Sequence, residues 1–572
     1  MMYTSAKVQT GSKKKKKSTG KRILKGFLYF LLFLVLIFAG LIGYIVMVGK
    51  LDPPQVADKS ALQLQRKALD QSAYTIGNNW FRKSKSGLYE LYVEGKPFER
   101  GVIYGKLADE LVKRQEDHFT EQIRKMIPST TYLKFLRYLI GFFNRNLDEY
   151  VIDEYKKEIY GVSFAGSPNY GYIGTNYERI MNYHAAHDIG HALQSVALVG
   201  CTSFATWDEQ SADSSLIIGR NFDFYVGDKF AEEKIVAFYK PSEGHKFMMI
   251  TWAGFTGVVS GMNDQGLTVT INAAKSEYPT GAATPVSLVA REILQYAGNI
   301  KEAYAIAAKR KMFVSESFLV GSAADNRAAI IEKTPDSLGM YTPGQHFVTC
   351  TNHFQSDQLK NTVSNEKQMA ESASMYRYER LRELMERNGP NTVQNTVNIL
   401  RDHRGLHDKN IGIGNEKAIN QFIAHHSIVF KPKERKFWIS TAPWQEGEYV
   451  AYDMNKIFEM KGLQTDHEIC DSALIIPADT FMRTDTFRNF LTYRKLKAEV
   501  ADHKKVDPAQ IVASNPMFYH AFVLAGDQAF KDENYRIAKD YYQQALMRVI
   551  ATKAEEVYIR KQIDACDEKS LK

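Results

Sequence analysis

The sequence predicts an α+β protein whose antiparallel sheets carry helices on their outer faces. Three observations predict it. From residue 201 onward, short alternating segments separated by turn signals replace a helical rhythm. Hairpins are followed twice by a pair of helical runs, instead of alternating with single helices as a parallel βαβ repeat would. At 572 residues the chain is also too long for one ordinary core, so the sheets are flanked by further parts.

The first part, residues 1–50, holds ten Lys or Arg and no Asp or Glu, which leaves 64 basic against 65 acidic residues in the remainder. The formal charge of +9 is therefore confined to one end. No phosphate-binding footprint is left, and a nucleic-acid partner is excluded. Lysines at positions 13–17, then Lys21, Arg22 and Lys25, precede the uncharged run GFLYFLLFLVLIFAGLIGYIVMV from Gly26 to Val48. As a helix that run crosses a hydrocarbon core of about 30 Å. The positive-inside rule then puts the tail in the cytoplasm and everything after the run outside the cell membrane, single-pass. The alternative is a cleaved signal peptide, against which stand the length of the run and the missing small-x-small site.

Residues 51–200 read as a polar stem with the pair Pro53-Pro54, followed by a mainly helical pro-region with apolar residues at spacings of three and four. In residues 201–479 the strands TSFATW, LIIGRNFDF, KIVAFYK and KFMMITWAG come first, then GVVSGMNDQGLTVTINAA, in which Asn263-Asp264-Gln265-Gly266 is a hairpin turn. Two helical runs, PVSLVAREILQYAG and IKEAYAIAAKRKM, lead to SFLVGSA, AAIIEKT and HFVTCTN. A second helical pair precedes the last hairpin, SIVFKPKERKFWIST. Residues 480–572 are helical again. One stretch there, LAGDQAFKDENYRIAKDYYQQAL, has the small-aromatic spacing of a TPR-like hairpin, in a single copy. It packs on the main domain or offers a surface to a protein partner.

The four cysteines, Cys201, Cys350, Cys470 and Cys566, form neither a disulfide framework nor a zinc pattern. Cys201 differs from the rest in its context, Gly-Cys-Thr-Ser, with Arg220, Asn221 and Asp223 about twenty residues on. A catalytic thiol needs a base, a cation favouring the thiolate, and donors for an oxyanion. Breaking the Gly200–Cys201 bond would supply the base as a free α-amine with a pKa of about 7.7. Arg220 is the cation, Asp223 holds the new ammonium, and Asn272 and Asn352 are donors at strand ends. Strict alternation puts Arg220 and Asp223 on opposite strand faces, so a bulge, which Gly219 could permit, or the strand's end is expected to turn one of them. Gly200 is expected to adopt a strained turn that lets the thiol reach the preceding carbonyl. His184, His187 and His191 share a helical face, but with no fourth ligand they read as packing. No metal and no cofactor is expected.

The motif GCTSFA…GRNFDF resembles the mature N-terminus of N-terminal-nucleophile (Ntn) amidases, the choloylglycine hydrolase, acid ceramidase and N-acylethanolamine amidase group. It also resembles the C45 penicillin acyltransferase family. The resemblance runs from about Tyr92 to Met454, with YVEGKPFERGVIYGKL, GMNDQGLTVTINAA, TCTNHF, YRYERL and LRDH in the family order. It implies an αββα four-layer sandwich, autocatalytic cleavage before Cys201, and a small N-acyl amide substrate. Cys201 matches the nucleophile, Arg220 and Asp223 the residues that line it, and Asn272 and Asn352 the substrate or oxyanion asparagines. Arg377 and Arg380 match an arginine pair of which one reaches the site.

The leading expectation is thus a membrane-anchored hydrolase of linear amides acting through a thioester on Cys201. An acyltransferase using the same site is the alternative. From another class, an inactive core could serve as a membrane-tethered scaffold through its C-terminal helices.

Overall fold

The computed structural model describes residues 19–127, 129–185, 188, 199–275, 282–312 and 314–571. The apolar run lies within helix α1 (Thr19–Val48). Its stretch Ile23–Val48 is long and apolar enough to cross a membrane, and none of its most apolar window is buried in the protein.

Two sheets make up the body. The larger has eleven strands in the order β1 (Lys67–Ala68), β2 (Ala73–Ile76), β3 (Asn79–Lys83), β4 (Tyr89–Gly95), β7 (Ile235–Pro241), β8 (Phe247–Thr251), β9 (Ser260–Asn263), β10 (Leu267–Ala273), β11 (Glu316–Ser322), β12 (Arg327–Lys333) and β13 (Leu338–Tyr341). The smaller has six, in the order β14 (Phe347–Cys350), β5 (Val199–Asp208), β6 (Ser214–Phe224), β15 (His426–Lys431), β16 (Lys436–Ser440) and β17 (Tyr449–Asp453). Neighbouring strands are antiparallel except β4 and β7, which run parallel from Tyr89↔Ile235 to Gly95↔Pro241. The hairpins read from the sequence form as expected, including β9–β10 with Gly266 at φ 70° in its turn.

Strands β1–β4 lie upstream of Cys201, in the segment whose pattern reads as stem and helix. They extend the larger sheet, so the upstream segment is built into the body. Its longer helices among the described residues are α2 (Pro97–Leu107), α3 (Asp109–Met126), α4 (Thr130–Phe143), α5 (Asp153–Ser163) and α6 (Asn176–His184). A capping box formed by Thr175 and Glu178 opens α6.

Packing follows the strand alternation. One face of the larger sheet (Leu91, Val93, Val269, Ile271, Val320) is buried under α2, α5, α6 and α7 (Val286–Tyr296), which is followed by α8 (Ile300–Lys309). Its other face (Phe238, Met248, Leu319, Ile330) meets Ala205, Ile218, Ile428 and Phe437 of the smaller sheet. The far face of the smaller sheet (Phe204, Ile217, Val429, Trp438) is covered by α9 (Ser374–Asn388) and α10 (Val393–Leu400).

The C-terminal helices α11 (Asp485–Ala501), α12 (Pro508–Ser514), α13 (Tyr519–Lys531), α14 (Tyr535–Leu546) and α15 (Lys553–Ser570) share a core with Ile413, Phe422 and Trp444 of the body. Arg494 on α11 adds an ion pair to Asp228 at 2.6 Å. The predicted helical hairpin is α13–α14. A Cβ on its Gly526 would come within 2.6 Å of the Tyr542 ring, so glycine sets how closely those two helices approach.

Candidate active site around Cys201

Cys201 lies inside β5, directly opposite Phe222 of β6, in an uninterrupted chain. The β5–β6 register is regular from Val199↔Phe224 to Thr206↔Ile217 and shifts only between Thr206 and Asp208. The bulge that Gly219 could permit is therefore absent. Gly219 serves close packing instead: a Cβ there would stand 2.5 Å from the Thr396 methyl of α10. Gly200 is likewise in extended backbone, where a Cβ would come within 2.8 Å of the Gln421 amide. Its purpose in the uncut chain is room for Gln421; the strained turn is not present.

With no bulge, alternation assigns the site to two faces. Cys201, Ser203, Arg220 and Phe222 face the larger sheet. The Arg220 guanidinium lies 3.6 Å from Cys201 Sγ, donates to the Val259 and Ile271 carbonyls and to Ser260 Oγ, and stacks 4.3 Å over the Phe222 ring. Ser203 Oγ donates to Asn272 Oδ1 at 3.0 Å, while the Asn272 amide donates to the Cys350 and Thr351 carbonyls at 3.0 and 3.3 Å. In the uncut chain Asn272 thus braces β10 against β14.

Gly200, Thr202, Asn221 and Asp223 face the helices. Asp223 stands opposite Gly200 in the register and accepts from Gln421 Nε2 at 3.2 Å, and its Oδ1 has no partner among the described residues. Arg377 of α9 donates to the Cys201 carbonyl at 2.6 Å, to Thr202 Oγ1 at 2.8 Å and to Asn352 Oδ1 at 2.7 Å. Asn352 follows β14 and continues its ladder with a side chain. Its Oδ1 accepts from Cys201 N–H at 3.0 Å and its Nδ2 donates to the Ala273 carbonyl at 2.8 Å. Both sides of the Cys201 backbone are therefore held by side chains.

The two arginines carried over as a pair separate cleanly. Arg377 reaches Cys201, whereas Arg380, one helical turn on, binds Asp402, Asp408 and Glu383 and belongs to a separate carboxylate network.

Burial governs the electrostatics. Cys201 is fully buried, which pushes its thiol above the ordinary value; the Arg220 charge opposes this, while Asp223 and Glu316 add to it. Burial likewise raises Asp223 to about 7, against the opposing pull of Arg377 and Arg220. Glu316, missed by sequence reasoning, pairs with Ala273 beside Asn272. Burial and then the Asp188 charge hold it well above the carboxylate range, and neither of its oxygens has a hydrogen-bond partner among the described residues. The only sequence signal for it is an acid at the start of ESFLVGS, a strand buried at every position. Behind Arg220, Ser260 Oγ contacts His426 Nε2 at 2.8 Å, and His426 Nδ1 contacts His425 Nδ1 at 2.8 Å. Burial keeps both imidazoles far below their usual pKa, hence neutral.

His184 is also committed to packing. Its Nε2 accepts from Thr256 N–H at 2.9 Å and its Nδ1 lies 2.8 Å from the Ile180 carbonyl, with burial lowering its pKa to about 4. His187 and His191 lie outside the described residues. Among the described residues, one exposed trio, Asp208, Glu209 and His346, has metal-ligand spacing; it lies at the far end of β5 from Cys201.

With that geometry in place, known proteins can be set beside it. Residues 207–443 match the family described as acyl-coenzyme A:6-aminopenicillanic acid acyl-transferase. An uncharacterized protein of Archaeoglobus fulgidus is 22% identical over 404 residues, covering 64% of this chain and 66% of its own. The N-acylethanolamine-hydrolyzing acid amidase of Caenorhabditis elegans is 24% identical over 223 residues, covering 37% of this chain and 59% of its own. The chain thus spans half to two thirds of the length of the curated relatives it matches. Among solved structures, an ortholog of that amidase from C. elegans aligns with a TM-score of 0.30 at 18% identity, covering 41% of this chain and 93% of its own. A mutant conjugated bile acid hydrolase from Clostridium perfringens aligns with a TM-score of 0.30 at 12% identity, covering 49% and 97%. The chain resembles the Ntn-hydrolase superfamily: the matched family is an acyl-transferase family and one curated relative is an amidase.

Proposed function

We propose that the chain is the precursor of a cysteine Ntn hydrolase that cuts itself between Gly200 and Cys201 and then cleaves linear N-acyl amides. The observation that carries this reading is the harness on Cys201: a guanidinium on its sulfur, an asparagine oxygen on its N–H and a second guanidinium on its carbonyl. A buried structural cysteine needs its N–H and carbonyl bonded as well, but it has no need of a guanidinium on its sulfur.

In the self-cut, Cys201 Sγ adds to the Gly200 carbonyl carbon. The C–N bond then breaks, Gly200 becomes a thioester, and the Cys201 nitrogen leaves as an amine. Water opens the thioester, giving a Gly200 carboxylate and a free thiol. The former N–H facing Asn352 is now an α-amine able to take the thiol proton. In turnover, the thiolate adds to the substrate's acyl carbon, the α-ammonium protonates the departing amine, and water resolves the acyl-enzyme. Arg220 favours the thiolate throughout, and Asp223 offers a carboxylate to the ammonium.

A second amine in place of water makes the same site an acyltransferase. The match to an acyl-transferase family favours keeping that reading.

On this reading the layering of helices, two sheets and helices is an αββα sandwich. Residues 51–200 form the pro-region, 201–479 the catalytic part and 480–572 a helical extension. Helix α1 anchors the protein with its N-terminus inside and the catalytic part outside.

The test is mass analysis and N-terminal sequencing of the full chain, followed by incubation with N-acyl amides with and without an acceptor amine. A fragment beginning at Cys201 and a single uncut Cys201→Ala chain are expected. A Cys201→Ala chain still cut at that bond would sink the autocatalytic mechanism.

A further inference from the structure

We propose that α4 is a second membrane contact, an interfacial helix that lies among the phospholipid headgroups and seats the catalytic part at the foot of α1. The proposal rests on the reading of α1 as a membrane span.

Helix α4 has the sequence TTYLKFLRYLIGFF, with Lys134 and Arg137 as its charged residues and no acid. A surface helix this apolar normally turns its apolar side into a core. Here Tyr132, Phe135 and Tyr138 are 51%, 60% and 41% exposed. They are spaced by three, and the Tyr132 and Phe135 rings stack at 6.3 Å, so they form a continuous aromatic strip.

The opposite side of α4 is fixed to the body. Leu133 is buried, Arg137 pairs with Glu178 of α6 at 3.2 Å, and Asn144 bonds Asn182 of α6 at 2.8 Å. The strip is therefore held facing outward on a rigid support.

The contact with α1 sets the depth. Gly49, one residue beyond α1, and Gly141 of α4 meet backbone to backbone; a Cβ on Gly141 would stand 2.7 Å from the Gly49 carbonyl oxygen. On α1 itself only Ile45 and Val48, in the last turn, are partly covered, and Ile23 to Tyr44 are exposed throughout. Helix α4 thus crosses α1 at its exit and does not run beside it within the bilayer. At that level lie the headgroups, where tyrosine places its ring in the apolar boundary and its hydroxyl in water. Lys134, exposed next to the strip, can extend to lipid phosphates. Continuity with the span identifies the occupant of the strip as phospholipid; a second copy of the chain is the competing occupant.

The experiment uses the full chain in phosphatidylcholine vesicles carrying brominated acyl chains. Single tryptophans are introduced as Phe38→Trp in α1 and, separately, Tyr132→Trp and Phe135→Trp in α4, with the parent chain as background. Production of the cut fragment reports correct folding of each variant. Shallow bromines are expected to lower the fluorescence of both α4 probes about twofold and deep bromines less, as for a helix lying about 5–10 Å into the boundary. The α1 probe should be quenched most by deep bromines. Quenching of Phe38→Trp with neither α4 probe affected overturns the proposal and leaves the anchor standing. Loss of quenching at all three sites overturns the anchor as well. A Phe135→Cys chain that forms an interchain disulfide in vesicles, with its tryptophan counterpart unquenched, assigns the strip to a second copy and also overturns the proposal.

Discussion

Replacing Asp223 by Asn should make the uncut chain more stable, by an amount that grows from nothing near pH 4 to its full value above about pH 7. Asp223 is fully buried, with one oxygen on Gln421 and the other without a partner among the described residues. Burial lifts its pKa from 3.8 to about 7 in the folded chain. A carboxyl whose folded pKa is raised binds its proton more tightly when folded, so its favourable contribution is complete below the unfolded pKa and is lost as pH rises through the folded one. At about 1.4 kcal/mol per pH unit, the ionised group above pH 7 costs the folded state about 4 kcal/mol relative to strongly acidic solution. Asn is isosteric, keeps an oxygen for Gln421 and carries no charge. In a Cys201→Ala background, which removes cleavage as a variable, Asp223→Asn should raise the melting temperature by on the order of 5 °C at pH 8. The gain should shrink through pH 6 and vanish near pH 4. Thermal melts at a fixed scan rate across that range measure it. A variant no more stable than its parent at pH 8, or a gain independent of pH, would refute the claim that a buried ionised carboxylate is held there at a cost. In the Cys201 chain, the same substitution should slow the appearance of the cut fragment.

Two further expectations follow from the site and its surroundings. Arg377→Ala should slow self-cutting by at least about tenfold, the equivalent of one charge-assisted hydrogen bond at roughly 1.5–3 kcal/mol; Arg380→Ala should leave the cutting rate within about twofold while lowering thermal stability, and time courses of fragment appearance separate the two. The cut fragments should stay together in non-denaturing buffer, because β4 of the upstream piece pairs with β7 of the downstream piece and Glu158 of α5 is shared by Arg100 and by Arg291 of α7 at 3.2 Å; co-purification of a tag on the upstream piece with the downstream piece tests this, and separation without denaturant would contradict it.

What could be read in advance was what the strand period and the short motifs encode. The alternation of LIIGRNFDF put Arg220 and Asp223 on opposite faces, and the structure keeps them there. The inference that a bulge or the strand's end must turn one of them was wrong because it assumed that both act from one side. Strands β1–β4 were hidden for a different reason. They are two to seven residues long, and β4 finds its partner β7 some 140 residues downstream in a parallel pairing that leaves no local hairpin signal. Gln421 and Glu316 were equally illegible: a lone polar residue in a buried strand or loop gains meaning only from its neighbours in space. The choice between Arg377 and Arg380 belongs to the same class, since residues three apart share a helix face and the sequence does not say which turn of α9 meets β5.

The two-faced arrangement accounts for how the charges around Cys201 remain available. Arg380 is saturated by three carboxylates and Arg100 by two, while buried Arg401 is satisfied by three carbonyls through Nε and one Nη. Arg220 and Arg377 bond only neutral oxygens, apart from the Cys201 sulfur on Arg220, and among the described residues each keeps an Nε without a partner. Asp223 lies on the strand adjoining Cys201 yet makes no ion pair with either arginine among the described residues, since the sheet stands between it and Arg220, and Arg377 is spent on Cys201, Thr202 and Asn352. A direct Arg–Asp pair would have neutralised both groups and offered nothing to a developing thiolate or ammonium. Leaving a buried carboxylate such as Asp223 without a cation is costly. If the chain cuts itself at Gly200–Cys201 as proposed, the α-ammonium formed there is the partner that this carboxylate lacks.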